Sequence, residues 1–457
     1  YHTVPPFARR KSKYRYCGKI LGLPGKNAGR YSCEITFQEK VQTVPALFLI
    51  YMHRLKNKQH QMNKLLLSAI LTLGTALIWA APADTAAVDT FRFTITKSNK
   101  ITPVKNQANT GTCWSFSGIA FFESEMLRLG KPEADLSEMF VVHHSYNDKA
   151  DKFVRTNGMI NFAQGGSFHD VMYVLKHYGI VPEQVKPGLN YGEERHNHSE
   201  LEGVARAFVD VVVKNPNRKL STAWKNAFNG ITSAYLGELP QEFTAEGKKL
   251  NPKSYMQSTG LNMDDYVSLT SFTHHPFYSA FAIEIPDNWR WAESFNIPLE
   301  DLSRVFDYAV DKGFTIAWGA DVSEKGFTRN GVAVNPIVKK NELPGSDQAK
   351  WLGLTQKEIE EKIYKSEGPR PEIKVTQELR QQGFDNYQTT DDHGMQIYGK
   401  ATDQNGTKYF MVKNSWGTES KYKGIWYVSE SFVLHKTINI VVHKDAIPSD
   451  ILKKLKL

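Results

Sequence analysis

Cys113 stands at the start of a predicted helix and is a candidate nucleophile. The residues that follow it place apolar side chains on one helix face, at Phe116, Ile119, Phe122, Met126 and Leu129. Gly130 ends the pattern, as expected for a glycine in the left-handed conformation after a helix. Unpaired N–H groups at a helix N-terminus favour a thiolate over a thiol. The alternative is a buried structural cysteine, for which the two threonines and the glycine at 110–112 would make a poor apolar wall.

A reactive thiolate needs a base and a group that orients the base, and the C-terminal part of the sequence offers both. His393 lies in a strand-like run at 391–399, and Asn414 follows a second run at 409–413. An imidazole can take up and return a proton during nucleophilic catalysis. Taken singly, a histidine in a strand is more often a core residue, and Asn-Ser-Trp-Gly at 414–417 could be a turn. Gln107, Cys113, His393 and Asn414 in this order, each in its own motif, are hard to obtain by chance.

These motifs resemble those of the papain-like cysteine peptidases. The first has the pattern Q-x4-[ST]-C-W-[SA]-F, and the second reads His-Gly, then Lys-Asn-Ser-Trp-Gly, then Gly-x-Trp. The resemblance implies an α+β fold of two lobes, a helical half and a strand-rich half, with the cleft between them. It implies an oxyanion hole formed by the Gln107 amide and the Cys113 N–H, and an imidazolium–thiolate pair with His393. Asn414 would orient the imidazole, and Trp416 would shield their hydrogen bond.

The distance along the chain between the two motifs points to one branch of this family. His393 comes 280 positions after Cys113, whereas about 130–150 positions are usual. Such extra length is similar to that of the bleomycin hydrolase and aminopeptidase C branch. Residues 183–295 show little periodicity, and we expect a large inserted subdomain there, between the nucleophile helix and the histidine strand.

The same resemblance implies a set of substrate-binding residues. Gly165 and Gly166 would line the cleft and let the substrate backbone approach closely. A plain turn, capped by Ser167 before a helix, is the alternative interpretation of this glycine pair. Trp114 and Trp416, which belong to the two motifs, complete the predicted set.

Several elements are predicted around these residues. Leu136-Ser137-Glu138 begins a helix, and a second helix follows residue 167. Apolar residues at 302–310 predict a third helix, which precedes a strand-like run at 314–322. A capping box at 355–358 opens a further short helix.

Members of this branch carry a C-terminal tail whose terminal carboxylate pairs with the substrate amine and enforces aminopeptidase action. Here a strand predicted at 437–442 is followed by a tail that begins like the family's and ends at Leu457. The tail looks too short to reach the cleft. Endopeptidase or dipeptide-releasing action of the same mechanism therefore stays open.

The beginning of the chain predicts export. Met62-Asn63-Lys64, an apolar run of 16 residues at 65–80 and the small residues at 81–83 form a signal peptide over 62–83. The alternative, a membrane anchor, would need about 20 apolar residues. We expect cleavage between Ala80 and Ala87, a peptidase domain over 84–457 and a periplasmic or extracellular product. Residues 1–61 are interpreted as non-native upstream sequence or as a disordered basic extension.

Composition and charge exclude several other classes of protein. The chain has 41% hydrophobic residues, which is typical of a globular protein. Of its 57 Lys+Arg and 48 Asp+Glu, residues 1–61 hold 12 and 2, so the rest is nearly neutral and a nucleic-acid-binding body is disfavoured. Three cysteines cannot form a disulfide scaffold. Histidine pairs at 143–144, 196–198 and 274–275 lack partners at zinc spacing, so neither a metal nor a cofactor is expected.

The sequence therefore predicts an exported cysteine peptidase, most similar to aminopeptidase C, that acts on peptides through an acyl-enzyme. The rival from another class is a non-catalytic peptide-binding scaffold, and acyl transfer rather than hydrolysis is a third possibility. No stable membrane span is expected after signal cleavage. Relatives form hexameric rings, so a homo-oligomer is an open expectation.

Overall fold

The computed structural model describes residues 90–245 and 247–457, without the side chains of residues 346 and 347. Helices dominate the described chain up to residue 259, and most strands of the main sheet come after it. The predicted extension at 1–61 and the signal peptide at 62–83 lie outside the described residues, and both stay predictions.

The helices start largely where capping residues predict them. Ser137 accepts a hydrogen bond from the Phe140 N–H at 3.0 Å, and Thr355 forms a capping box with Glu358. None of the helices within the described residues has the length and apolarity needed to cross a membrane. The helices are α1 (Cys113–Arg128), α2 (Glu138–Arg155), α3 (Phe168–His177), α4 (Ser199–Val213), α5 (Ala223–Leu236), α6 (Pro252–Thr259), α7 (Leu299–Asp311), α8 (Gly345–Lys350), α9 (Gln356–Lys365), α10 (Gln377–Asp385), α11 (Glu430–Lys436) and α12 (Ser449–Leu455). Short 3₁₀ turns cover Glu183–Val185, Met263–Asp265, Lys340–Glu342 and Lys444–Ala446.

One large mixed sheet forms the strand-rich half. The strands are β1 (Thr94–Ser98), β2 (Phe243–Ala245), β3 (Lys248–Leu250), β4 (Tyr266–Thr270), β5 (Ala280–Ala282), β6 (Glu293–Asn296), β7 (Ile316–Ala320), β8 (Val332–Ala333), β9 (His393–Thr402), β10 (Lys408–Lys413), β11 (Ile425–Ser429) and β12 (Thr437–His443). The large sheet has the order β5-β6-β4-β12-β7-β9-β10-β11-β8, and β1 pairs with the far end of β9. Neighbouring strands are antiparallel except for β4 with β6 and β8 with β11. β2 and β3 form a separate hairpin.

Each half of the described chain has its own hydrophobic core. The helical half buries the aromatic rings of Phe121, Phe140 and Phe153 among the side chains of α1–α5. The strand-rich half buries Phe306, Trp318 and Phe410 between α7 and the sheet. A fully buried side chain of this size stabilises the fold by roughly 1.5–3 kcal/mol. The predicted α+β division into a helical and a strand-rich half is confirmed.

The two halves meet where β9 lies against α1. Met395 and Ile397 point into the strand-rich core, whereas Gln396 on the opposite face donates a hydrogen bond to Ser124 Oγ at 2.8 Å. Gly394 permits the close approach, because a Cβ at this position would lie 2.7 Å from Ser117 Oγ. This contact brings the first residue of β9, His393, towards the start of α1.

We expected the extra residues to form a single subdomain over 183–295, but the structure does not place them together there. Helices α4–α6 and the β2–β3 hairpin account for residues 199–259, but β4, β5 and β6 belong to the main sheet. β4 is buried along its whole length, including its polar residues Ser268 and Thr270, so it is a central strand with no face exposed to solvent. A second addition, residues 321–392, separates β7 from β9 and carries α8–α10.

Most of the predicted helix faces are observed, with one exception at the end of α1. Phe116, Ile119, Phe122 and Met126 are buried, but Leu129 is 42% exposed because it follows the last helical residue. Gly130 has a φ of +76°, as predicted for the residue that ends the helix.

Candidate active site

Cys113 is the first residue of α1, and the loop before it is fixed at both ends. The carbonyl of Thr112 accepts the Ser115 N–H at 2.9 Å, which starts the helix. The Gly111 N–H donates to Gln164 Oε1 at 2.7 Å, which ties the loop to the segment that precedes α3. The thiol of Cys113 therefore stands at a helix N-terminus, and the residue is half-buried.

His393 begins β9 and is oriented by a side chain from the next strand connection. Its Nε2 lies 2.8 Å from Asn414 Oδ1, and Asn414 directly follows β10. The Trp416 ring lies over the imidazole, with 4.6 Å between ring centroids. Because Trp416 is 38% exposed and His393 only 6%, the indole covers the imidazole on its solvent side. The structure thus brings together the three residues that the second motif placed within 24 positions.

Gln107 is joined to the same region by backbone and side-chain hydrogen bonds. Its N–H donates to the Ser415 carbonyl at 2.8 Å, and its Oε1 accepts from Ser415 Oγ at 2.6 Å. Its Nε2 donates to the Thr110 carbonyl at 2.7 Å, in the loop that leads to Cys113. Gln107 therefore links the loop before α1 to the residue after Asn414.

Cys113 and His393 line one small cavity of about 30 Å³. Gly166 lines it as well, and a Cβ on Gly166 would lie 2.8 Å from Trp114 Cε2. Trp114 is only 4% exposed and donates from Nε1 to the Gln164 carbonyl at 3.1 Å. Trp114 therefore packs against Gly166, and only a small part of its ring is exposed to the cavity. Within the described residues, no hydrogen bond joins Cys113 Sγ to the imidazole.

Two family models match the chain, one around each half of this site. The model described as "Papain family cysteine protease" matches residues 89–231, which contain Gln107 and Cys113. The model described as "Peptidase C1-like family" matches residues 363–457, which contain His393 and Asn414. Both halves of the site thus match cysteine peptidase families of the papain type. The predicted resemblance is confirmed.

Several known proteins are similar to this papain-like peptidase over most of its length. Aminopeptidase G of Lactobacillus delbrueckii subsp. lactis is 24% identical over 397 residues, which are 76% of this chain and 82% of the relative. Aminopeptidase E of Lactobacillus helveticus is 23% identical and covers 75% of this chain and 81% of its own length. The crystal structure of pepw from Lactobacillus rhamnosis is similar in fold, with a TM-score of 0.60 at 18% identity over 79% of this chain and 84% of that one. The two-lobed papain-like fold is thereby confirmed.

The cavity of the peptidase favours neutral forms of both catalytic candidates. The pKa of the Cys113 thiol is raised to about 12, above all by burial; the charges of Asp391 and Asp287 contribute to the rise, and the backbone N–H groups of Gly394 and Trp114 oppose it. Burial also lowers the pKa of His393 to about 4, although its hydrogen bond to Asn414 acts in the opposite direction. We expected a thiolate with a strongly lowered pKa, but the site favours the thiol, because burial and two carboxylates outweigh the helix N-terminus.

Two acidic residues of the peptidase's cavity were missed by the sequence analysis. Asp287 and Asp391 both line the cavity of Cys113. Asp391 precedes His393 by two positions, so its place beside the second motif could have been noticed. Asp287 lies in the irregular loop between β5 and β6, and no sequence pattern singled it out.

Other predicted features lie away from this cavity. His274, His275 and Glu284 have ligand atoms within 4.8 Å of one another, a grouping that we did not expect from the histidine spacing, but none of them lines the Cys113 cavity. Leu457, which follows α12, lines a different cavity beside Tyr173 and Arg290.

Proposed function

We propose that this papain-like peptidase is an aminopeptidase that removes residues from the free N-terminus of peptides, with Cys113 as its nucleophile. The observation that carries the proposal is the cavity shared by Cys113 and His393, in which Asn414 fixes the imidazole at 2.8 Å. The names of its relatives, aminopeptidases G and E, support the exopeptidase part.

The proposed reaction begins from the neutral pair that burial favours. His393 takes the proton of the Cys113 thiol as Sγ attacks the substrate carbonyl carbon, which gives a tetrahedral intermediate with a negative oxygen. The imidazolium then protonates the leaving amine, and the C–N bond breaks to leave a thioester. A water molecule, deprotonated by His393, attacks the thioester, and the thiol leaves with that proton.

The oxyanion of the tetrahedral intermediate needs fixed donors. We assign this role to the Cys113 N–H and to the Gln107 amide, as the family resemblance implies. Gln107 Nε2 carries two hydrogens, and the Thr110 carbonyl accepts one of them. The second hydrogen is the one that would serve the oxyanion.

The test uses matched fluorogenic peptides with free or acetylated N-termini, under reducing conditions. Wild-type protein is expected to cleave the free-amine substrate, and Cys113→Ala is expected to lose at least about 10³-fold in kcat. Urea unfolding should show that Cys113→Ala keeps its stability within about 1 kcal/mol. Cleavage of the acetylated peptide at a similar rate would instead establish an endopeptidase. Inactivity on both, with Cys113 unreactive towards iodoacetamide, would favour a peptide-binding scaffold.

Export to the periplasm or the exterior is a separate part of the proposal. It is supported by the basic residue, apolar run and small residues at 62–83. Mass spectrometry of the protein from the periplasm or medium of an expressing cell is expected to find an N-terminus between residues 80 and 87. Recovery of the active protein from the cytosol alone, with residues 62–83 intact, would contradict it.

A further inference from the structure

The loop that joins β5 and β6 of the main sheet lies against Gly165, the first glycine of the pair. The loop runs from β5 to β6 and carries Asp287 at its centre. The three atoms nearest to a Cβ built on Gly165 are Oδ2, Cγ and Oδ1 of Asp287. The carboxyl group therefore occupies the space directly over the Gly165 Cα, beside Gly166 and the cavity of Cys113.

Hydrogen bonds hold this loop and the glycine pair in one arrangement. Asp170, in the first turn of α3, accepts from the Ser167 N–H at 2.8 Å and from Trp289 Nε1 at 3.1 Å, and it also pairs with Arg290. Asn288 Nδ2 bridges the loop internally, with bonds to the carbonyls of Ile283 at 3.1 Å and of Ala292 at 3.0 Å. Because Asp170 binds both the residue after Gly166 and the residues after Asp287, the carboxylate is positioned by the fold.

The partners of Asp287 leave its negative charge largely uncompensated. Oδ1 accepts one hydrogen bond, from Asn161 Nδ2 at 3.2 Å. Lys149 Nζ is directed to the backbone instead, where it donates to the carbonyls of Ala163, at 2.9 Å, and Gly165. No ion pair joins Lys149 to Asp287 in the described chain, although its charge lowers the pKa of Asp287 against the raising effect of burial.

A second acidic side chain lies in this cavity. Asp391 lines the cavity with Asp287, and within the described residues no hydrogen bond or ion pair engages its side chain. Burial, then the charges of Asp287 and Asp392, raise the pKa of Asp391 to about 8. A cationic group that entered the cavity would therefore be attracted by the Asp287 carboxylate, and above about pH 8 by Asp391 as well.

We propose that Asp287 is the residue that selects substrates with a free N-terminus, by accepting hydrogen bonds from their α-ammonium group at the Gly165–Gly166 pair. The inference rests on the proposed peptidase function and names the part of the substrate that the cleft recognises. An ammonium group supplies a positive charge and three donors to the Asp287 carboxylate. A substrate whose amine is acetylated, or whose chain continues past this point, has no ammonium group to offer there. Its additional atoms would clash with the loop.

The experiment compares kcat/KM for three matched substrates that carry a free α-amine, an α-hydroxyl group in its place, or an acetylated amine. Wild-type protein is expected to prefer the amine over the hydroxyl analogue, and Asp287→Asn is expected to lower kcat/KM for the amine by about 10–100-fold, mainly through KM. Its kcat/KM for the hydroxyl and acetylated substrates should stay the same or rise. Glu284→Gln, which removes a negative charge three residues away, is the control and should keep the wild-type preference.

Asp287→Glu separates the charge from a structural role, since it keeps the carboxylate. It is expected to prefer the amine over the hydroxyl analogue, as wild-type protein does. An unchanged preference in Asp287→Asn, or an equal loss of preference in Asp287→Asn and Asp287→Glu, would overturn the assignment. Wild-type protein that cleaves none of the substrates would instead contradict the proposed function itself, so the two failures are distinguishable.

Discussion

The reactivity of the Cys113 thiol depends on opposing local effects. Burial and the charges of Asp391 and Asp287 raise its pKa, whereas the N–H groups of Gly394 and Trp114 lower it. A substrate ammonium group bound between the two carboxylates would cancel much of their effect on the thiol. Substrate binding would then make the transfer of the thiol proton to His393 easier, so a free amine would assist the reaction as well as binding.

Removal of the Asp391 charge tests this balance. The pKa of Asp391 is about 8, so its side chain is a carboxylate at pH 9 and mostly neutral at pH 6. Its negative charge raises the pKa of Cys113, so Asp391→Asn should lower that pKa and increase the thiolate fraction. We expect iodoacetamide to alkylate Cys113 roughly three- to tenfold faster in Asp391→Asn than in wild-type protein at pH 9.

The same alkylation measurement at pH 6 provides an internal control. At pH 6 the wild-type carboxyl group carries a proton, so the two proteins should react at similar rates. Asp445→Asn removes an exposed carboxylate remote from the cavity and should not change the rate at either pH. A slower reaction of Asp391→Asn at pH 9 would show that Asp391 promotes the thiolate, contrary to our account.

At the residue scale, the sequence identified those candidate site residues that belong to short sequence motifs. Cys113 and Asn414 each stand in a short pattern, and their neighbours in the chain are also their neighbours in space. Asp287 could not be found in this way, because its position follows from contacts of Asp170 with Trp289 and Arg290, more than 115 positions apart. The position of a carboxylate in an irregular loop cannot be predicted until those contacts are known.

At the scale of elements, the contact between α1 and β9 sets the distance between nucleophile and base. A Cβ at Gly394 would lie 2.7 Å from Ser117 Oγ and 3.3 Å from the Cα of Trp114. Ser117 cannot turn away freely, because its hydroxyl donates to the Cys113 carbonyl at 2.6 Å. Gly394→Ala should therefore push β9 away from α1, and we expect kcat to fall about 10–100-fold.

A second glycine provides the control for this substitution. Gly203 in α4 has no atom within 4 Å of a built Cβ. Gly203→Ala is therefore expected to leave kcat unchanged and to stabilise the protein by about 0.5–1 kcal/mol, because alanine favours the helix. Steady-state kinetics and thermal unfolding of both variants give the comparison. A wild-type kcat in Gly394→Ala would mean that the two elements can separate without affecting the site.

The predictability of the elements follows from their exposure. Helices α3 and α7 expose one face to solvent, so their apolar residues recur with the helical period. Helix α1 is buried on nearly all sides from residue 114 to 126, but Phe116, Ile119, Phe122 and Met126 still keep the helical spacing that the sequence showed. β4 has only five residues, and its two polar residues, Ser268 and Thr270, are buried like the apolar ones, so this short run was not recognised as a strand. For this reason the sequence analysis assigned residues 266–270 to an insertion, although they pair with β12 near the centre of the sheet.

At the scale of the whole molecule, a chain of buried hydrogen bonds between polar side chains joins the two halves next to the site. Thr102 donates to Glu123 Oε2, in α1, at 2.6 Å and accepts from Lys413 Nζ, at the end of β10, at 2.9 Å. Glu123 also accepts the Leu136 N–H at 2.9 Å. Because Asn414 follows Lys413 directly, this chain also fixes the residue that orients the imidazole.

Thr102→Val removes the hydroxyl that both charged side chains use. Glu123 and Lys413 are at most 5% exposed, so each would keep an unpaired polar atom that water cannot reach. The free energy of unfolding in urea should fall by about 2–4 kcal/mol. Thr102→Ser keeps the hydroxyl and loses one methyl group, which should cost about 1 kcal/mol or less. If the two variants unfold at the same urea concentration, the methyl group rather than the polar chain stabilises the junction. A lower kcat confined to Thr102→Val would show that the chain also positions Asn414, which connects the stability of the junction between the halves to the chemistry in the cleft.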